Sequence, residues 1–241
     1  MYKPDKILFL KSLIFPLAFT FLLWVIKLIE LYLNMDFAFL GVYPLKLSGL
    51  IGIITSPLIH GDIQHLLSNT VGVFLLCWAV FYFYTKVALR VFIFIYLLSG
   101  FWVWFFAREA YHIGASGLIY GMASFLFFSG IFRKHIPLMA VSLTIVFLYG
   151  GIIWGVFPTF EKISWETHLT GLFAGIIVAF YYKNEGPQRP QPFDEQEEDA
   201  DDDYYKINEN IEEDNKDEKE TNHNNIEIKY HFKKDNNIEP F

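Results

Sequence analysis

The sequence predicts an all-α membrane protein, a bundle of six transmembrane helices followed by a disordered acidic C-terminal tail. Three observations predict it. The 241 residues are 54% hydrophobic and 19% aromatic but only 19% charged, where soluble domains are about 45–50% apolar and about 25% charged. Six separate stretches are apolar over about 20 residues, the length that crosses a hydrocarbon core roughly 30 Å thick. Charge is also segregated: residues 1–183 hold 12 Lys/Arg and 7 Asp/Glu, whereas 184–241 hold 7 and 19. The body is therefore basic and apolar, and a water-soluble enzyme is excluded. The single cysteine, Cys77, excludes an internal disulfide framework and any Cys-rich metal site.

The first span, about 12–33, follows Lys3, Lys6 and Lys11. That basic start resembles a signal peptide, but the run is too long and lacks an A-x-A-like cleavage site, so it reads as a retained helix. Within it Lys27 and Glu30 share one helical face and can pair or snorkel. The next apolar stretch, 40–59, contains Pro44, Lys46, Gly49, Gly52 and Pro57. These break any continuous helix, and unsatisfied backbone in lipid is costly, so the stretch reads as a loop lying partly in the membrane interface. The remaining spans are 64–84, 87–107, 115–132, 136–157 and 165–182.

Charge sets the orientation. With six spans and the N-terminus inside, the inner segments carry Lys3, Lys6, Lys11, Lys86, Arg90, Arg133, Lys134, Lys183 and Arg189, and the outer loops carry only Lys46, Arg108 and Lys162. This obeys the positive-inside rule. Counting 40–59 as a span would move Lys86, Arg90, Arg133 and Lys134 outside. The expected organisation is a membrane domain over 1–183 and a tail over 184–241, with both termini cytoplasmic at a bacterial inner membrane. The tail's acidic block DEQEEDADDD (194–203) and its Asn, Glu and Lys residues cannot bury a core. Only Tyr204, Tyr205 and IEIKYHF (226–232) offer a partner a grip, and that partner is unknown.

Ionisable and strongly polar groups inside a span are costly and mark function. Here they are His65 and Asn69 in the second span, Ser116 opening the fourth, and His168 in the sixth. Spans two, four and six all run from outside to inside, so these four residues fall in one layer just below the outer surface. Ser116 sits in GASG (114–117), where Gly114 and Gly117 permit a tight turn that leaves the hydroxyl open. Alone, that string suits helix packing as well as a nucleophile. His168 begins HLTGLFAG (168–175), which puts Gly171 and Gly175 on one face below it. Tyr120, four residues after Ser116, can pack on the imidazole or simply join an aromatic-rich bundle.

A serine becomes a useful nucleophile when a base takes its proton. Glu166 lies two residues from His168 and faces nearly the opposite way, so the economical reading is a Ser116–His168 dyad oriented by packing. His65 and Asn69, at i and i+4, offer donors for a developing oxyanion beside the Ser116 amide. No metal is implied: there is no HExxH, and His60 and His65 lack a carboxylate to complete a site. No cofactor is implied either.

Taken together, HGDIQHLLSN (60–69), GASGLIYG (114–121) and HLTGLFAG (168–175), in that order on these spans, resemble the rhomboid family of intramembrane serine proteases. The resemblance covers roughly 12–182. It implies Ser116 as nucleophile, His168 as general base, His65 and Asn69 at the oxyanion, Tyr120 stacked near His168, and a structural role for the loop residue His60. Two departures stand: residues 34–63 lack the Trp-Arg pair of many rhomboids, and Thr167 replaces the frequent Ala before the histidine. The expected partners are the lipid bilayer and single-span transmembrane protein substrates cleaved near the outer face, with no nucleic acid. The alternatives are an inactive rhomboid-like protein that binds membrane clients, which would have lost Ser116 or His168, and a transporter, which would carry charged residues along a path.

Overall fold

In the computed structural model, the chain divides into two units, Met1–Pro190 and Gln191–Phe241. The structure describes residues 6–148 and 164–187, all within the first. The described residues form seven helices: α1 (Lys6–Leu33), α2 (Gly52–Thr55), α3 (Ile63–Phe83), α4 (Ala88–Phe106), α5 (Ser116–Phe132), α6 (Ile136–Leu148) and α7 (Trp165–Tyr181). Among these, α1, α3 and α4 are long and apolar enough to cross a membrane. The second half of the expected fifth span and the tail beyond 187 lie outside the described residues.

Helix ends follow local chemistry. The first helix begins at Lys6, six residues before the expected start, and runs through Pro16 to Leu33, where Asn34 turns left-handed at φ 49°. The Asp62 carboxylate caps α3, accepting from the His65 amide at 2.7 Å. Between α1 and α3 the chain makes only short pieces: 3₁₀ turns at Ala38–Leu40, Leu47–Leu50 and Ser56–Leu58, and the single turn of α2. The prolines and glycines of 40–59 thus prevent a continuous helix, as their backbone preferences dictate.

The α5 helix is the centre of the bundle. Its residues Gly117–Leu126 are all buried, and it packs against α3, α4, α6 and α7. Apolar side chains facing it include Leu66, Val73 and Leu76 from α3 and Val91 and Ile95 from α4. Where every helix is apolar, association depends on close packing and interhelical hydrogen bonds. Both occur here. The Ser124 hydroxyl donates to the Leu172 carbonyl at 2.8 Å, and the Ser142 hydroxyl donates to the Ala123 carbonyl at 2.7 Å. Outward faces of α1 and α4 expose Leu10, Ile14, Phe21, Phe94, Leu97 and Phe101, a surface suited to lipid.

Lys27 and Glu30 pair rather than snorkel. Both are buried, 2.9 Å apart, and Lys27 also donates to the carbonyls of His60 (2.8 Å) and Gly61 (3.0 Å). All three ammonium hydrogens are used. The second Glu30 oxygen accepts from the Phe37 amide at 3.1 Å. One ion pair thereby ties the end of α1 to both ends of the connection that follows it, at Phe37 and at His60–Gly61, next to the start of α3.

Candidate active site

The site forms where the first turns of α3, α5 and α7 meet. From α3 come His65, half-buried, and Asn69, buried, whose amide nitrogen donates to the His65 carbonyl at 3.1 Å. Ser116 is the first residue of α5 and is half-buried. His168, the fourth residue of α7, is buried. The Tyr120 ring lies flat on its imidazole, centroids 4.2 Å apart and planes 11° from parallel. That stack restricts ring rotation.

Glycines let these elements approach. Gly114 has φ +106°, a conformation that L side chains rarely adopt. It also lies against α3: a Cβ there would stand 2.7 Å from His65 Cε1 and 3.8 Å from Asn69 Nδ2. The turn before Ser116 therefore presses directly on the two α3 residues. The crossing of α5 and α7 is as close. A Cβ at Gly171 would collide with the carbonyl of Gly117, and one at Gly175 with the carbonyl of Gly121. Small residues four apart on both helices bring the backbones into contact one turn from Ser116 and one from His168.

Loops complete the surroundings. The Gly114 amide donates to the Ser56 carbonyl at 2.9 Å. His60 is buried, with its ring edge-on to His65 at 5.1 Å. Burial, aided by the neighbouring His65, lowers its pKa to about 3, so it is neutral and packs as a spacer. Glu166 is buried and pairs with Arg108 at 3.5 Å. A recess lined by Ser56, Ser99, His112, Gly114, Gly117 and Thr167 adjoins the start of α5.

Two residues that shape this region are given no role by the sequence reading: Asp62, inside the first motif, and His112, outside all three. Asp62 was legible, as an Asp three residues before His65 at the start of an apolar run is a helix N-cap signal. His112 was not. It binds residues 42, 108 and 164, and no local pattern reports contacts so distant in sequence.

Comparison with known proteins identifies the family. A model of the Rhomboid domain matches residues 48–185, more than half of the chain and all three motifs. An uncharacterized protein of Mycobacterium tuberculosis is 33% identical over 177 residues, covering 68% of this chain and 72% of its own length, and one of Mycobacterium bovis matches equally. A relative in Mycobacterium leprae is 28% identical over 173 residues, with 68% of each chain covered. The chain belongs to the rhomboid family and is a helical integral membrane protein.

Proposed function

We propose that the protein is an intramembrane serine endopeptidase acting through a Ser116–His168 dyad on single-span transmembrane substrates. The observation that carries this reading is the meeting of three separated motifs at the first turns of α3, α5 and α7, with Tyr120 stacked on His168. Ser116 Oγ attacks the scissile carbonyl as His168 takes its proton. The oxyanion then forms beside the Ser116 amide and Asn69, whose Nδ2 spends one hydrogen on the His65 carbonyl and keeps the second. His168 returns the proton to the leaving amine, and water admitted through the polar outer layer releases the acyl enzyme.

Six crossings, with both termini cytoplasmic, put that layer near the outer face of a bacterial inner membrane, and the mycobacterial relatives suit a bacterial setting. Substrate helices unravel there, and the family resemblance favours small residues before the cut. Residues 184–241, at net −12, form an acidic cytoplasmic appendage. An inactive client-binding relative would lack one of the two reacting groups, and both are present. Purified protein is tested against membrane-anchored peptides and a fluorophosphonate probe. Wild type should cleave and be labelled. Ser116→Ala and His168→Ala should each lose at least about 10³-fold in turnover, with the double variant little worse, as groups acting as a unit do. Cleavage retained by Ser116→Ala would assign the activity elsewhere.

A further inference from the structure

His112 lies four residues before Ser116 and is buried. Its amide donates to the Val42 carbonyl at 2.9 Å, and its carbonyl accepts from the Val42 amide at 3.0 Å, joining the loop before α5 to the loop after α1. Its ring reaches a third element. Nε2 is 2.9 Å from the Arg108 carbonyl oxygen, Nδ1 is 2.5 Å from Ser164 Oγ, and Ser164 Oγ is 2.6 Å from Thr167 Oγ1.

The hydrogens in this chain can be assigned from chemistry. A carbonyl oxygen only accepts, so Nε2 carries the ring proton. Burial holds the imidazole below its ordinary pKa, against the opposing pull of the Arg108 carbonyl and of Glu166 and with a smaller push from the Arg108 charge, so the ring is neutral near pH 7. A neutral ring has one N–H, which leaves Nδ1 as an acceptor for the Ser164 hydroxyl. Ser164 Oγ then accepts from Thr167 Oγ1. The order is Thr167 to Ser164 to His112 to the Arg108 carbonyl.

Ser164 stands at the N-cap of α7, where a serine hydroxyl ordinarily accepts from a first-turn amide. Here it makes no such cap bond. Its hydroxyl is committed to His112 and Thr167 instead. Thr167 also has two faces at work: its methyl packs on α5, so that a Cβ at Gly117 would stand 2.9 Å from Cγ2, while its hydroxyl joins the relay. The departure from alanine at this position thus adds a bond to the residue immediately before His168.

We infer that His112, Ser164 and Thr167 form a positioning relay that holds the first turn of α7, and so His168, in register with the turn that carries Ser116. This rests on the reading of Ser116 and His168 as the dyad. Misplacement of a reacting group by 1 Å can cost about 10²-fold. The relay supplies orientation through the backbone and the Tyr120 stack supplies it through the ring. The three residues act through the backbone and are positioning residues.

The test measures the rate of fluorophosphonate labelling at Ser116 in the full-length protein, together with amide exchange over 164–170. Thr167→Val keeps the methyl packing and removes the hydroxyl. It should slow labelling roughly 3- to 10-fold, one hydrogen bond's worth, and speed exchange in that segment. Ser164→Ala should do the same, and the pair together should add little, since both break one chain. Thr167→Ser should restore the wild-type rate, and His112→Asn, whose Oδ1 can replace Nδ1 as acceptor, should outperform His112→Phe. Labelling of Thr167→Val at the wild-type rate overturns the relay while leaving the dyad standing. Thr167→Ser as slow as Thr167→Val overturns it too, by making the loss one of packing. A wild-type protein that is not labelled at Ser116 overturns the dyad reading, and the relay's role with it.

Discussion

Asn69 stands one turn along α3 from His65, buried, with Gly114 lying against it. In the proposed mechanism its second amide hydrogen is the donor to the oxyanion, so Asn69→Ala should lower turnover by about 10²-fold or less, the cost of one such donor. Labelling of Ser116 should survive, because the nucleophile and base are untouched. The check is kcat on a weak substrate beside probe labelling; wild-type kcat would return Asn69 to helix packing. At this scale the sequence was informative wherever chemistry repeats over three or four residues, as at His65–Asn69 and Ser116–Tyr120. It was blind to His112, and it registered Thr167 only as a departure. Their partners lie 52 residues away and three residues away on a side-chain chain that begins there, and such contacts exist only once the loops fold together.

Lys27 and Glu30 show how one element depends on another. Their pairing was legible from the i, i+3 spacing, but their burial was not, because the carbonyls that complete the Lys27 shell belong to His60 and Gly61. Lys27→Met leaves Glu30 buried without its cation, and removing one partner of such a pair costs about 3–5 kcal/mol. The expected result is a sharply lowered unfolding midpoint in detergent, with the loss largely recovered in Lys27→Met combined with Glu30→Leu. Equal midpoints for Lys27→Met and wild type would show that the pair contributes little. Two of the three long helices were legible nearly to the residue, 64–84 against Ile63–Phe83 and 87–107 against Ala88–Phe106, while α1 starts six residues before its expected span. Unbroken apolar length dictates them. The segment 40–59 was legible only as a failure to form a span, since its 3₁₀ turns take their shape from neighbours, as where the Thr55 hydroxyl donates to Leu40 and the Trp104 indole to Lys46.

The described residues of the first unit have two chemically different ends. The first turns of α3, α5 and α7 gather His65, Asn69, Ser116 and His168 at one. At the other, Arg133 donates to the carbonyls of Tyr182 and Glu185, and Arg90 pairs with the Glu185 carboxylate at 3.6 Å. Composition and charge order made this polarity readable before any coordinates, because the positive-inside rule depends on counts rather than contacts.

That polarity yields a test of the orientation and of the number of crossings. If α3, α5 and α7 all enter from the outside, the turns at Lys86 and Lys183 face the cytoplasm, and the loop holding Leu47 faces out. The protein is convenient for cysteine mapping, as its own Cys77 is fully buried and gives little background. Leu47, Lys86 and Lys183 are all exposed, so a cysteine at each should react without disturbing the bundle. A membrane-impermeant maleimide applied to intact cells should label Leu47→Cys and spare Lys86→Cys and Lys183→Cys. Permeabilised cells should label all three. Were 40–59 a seventh crossing, the order of sides would invert after it, and Lys86→Cys would react in intact cells. That result would also place Ser116 and His168 at the inner face, so the same experiment tests the outer-face position of the proposed site.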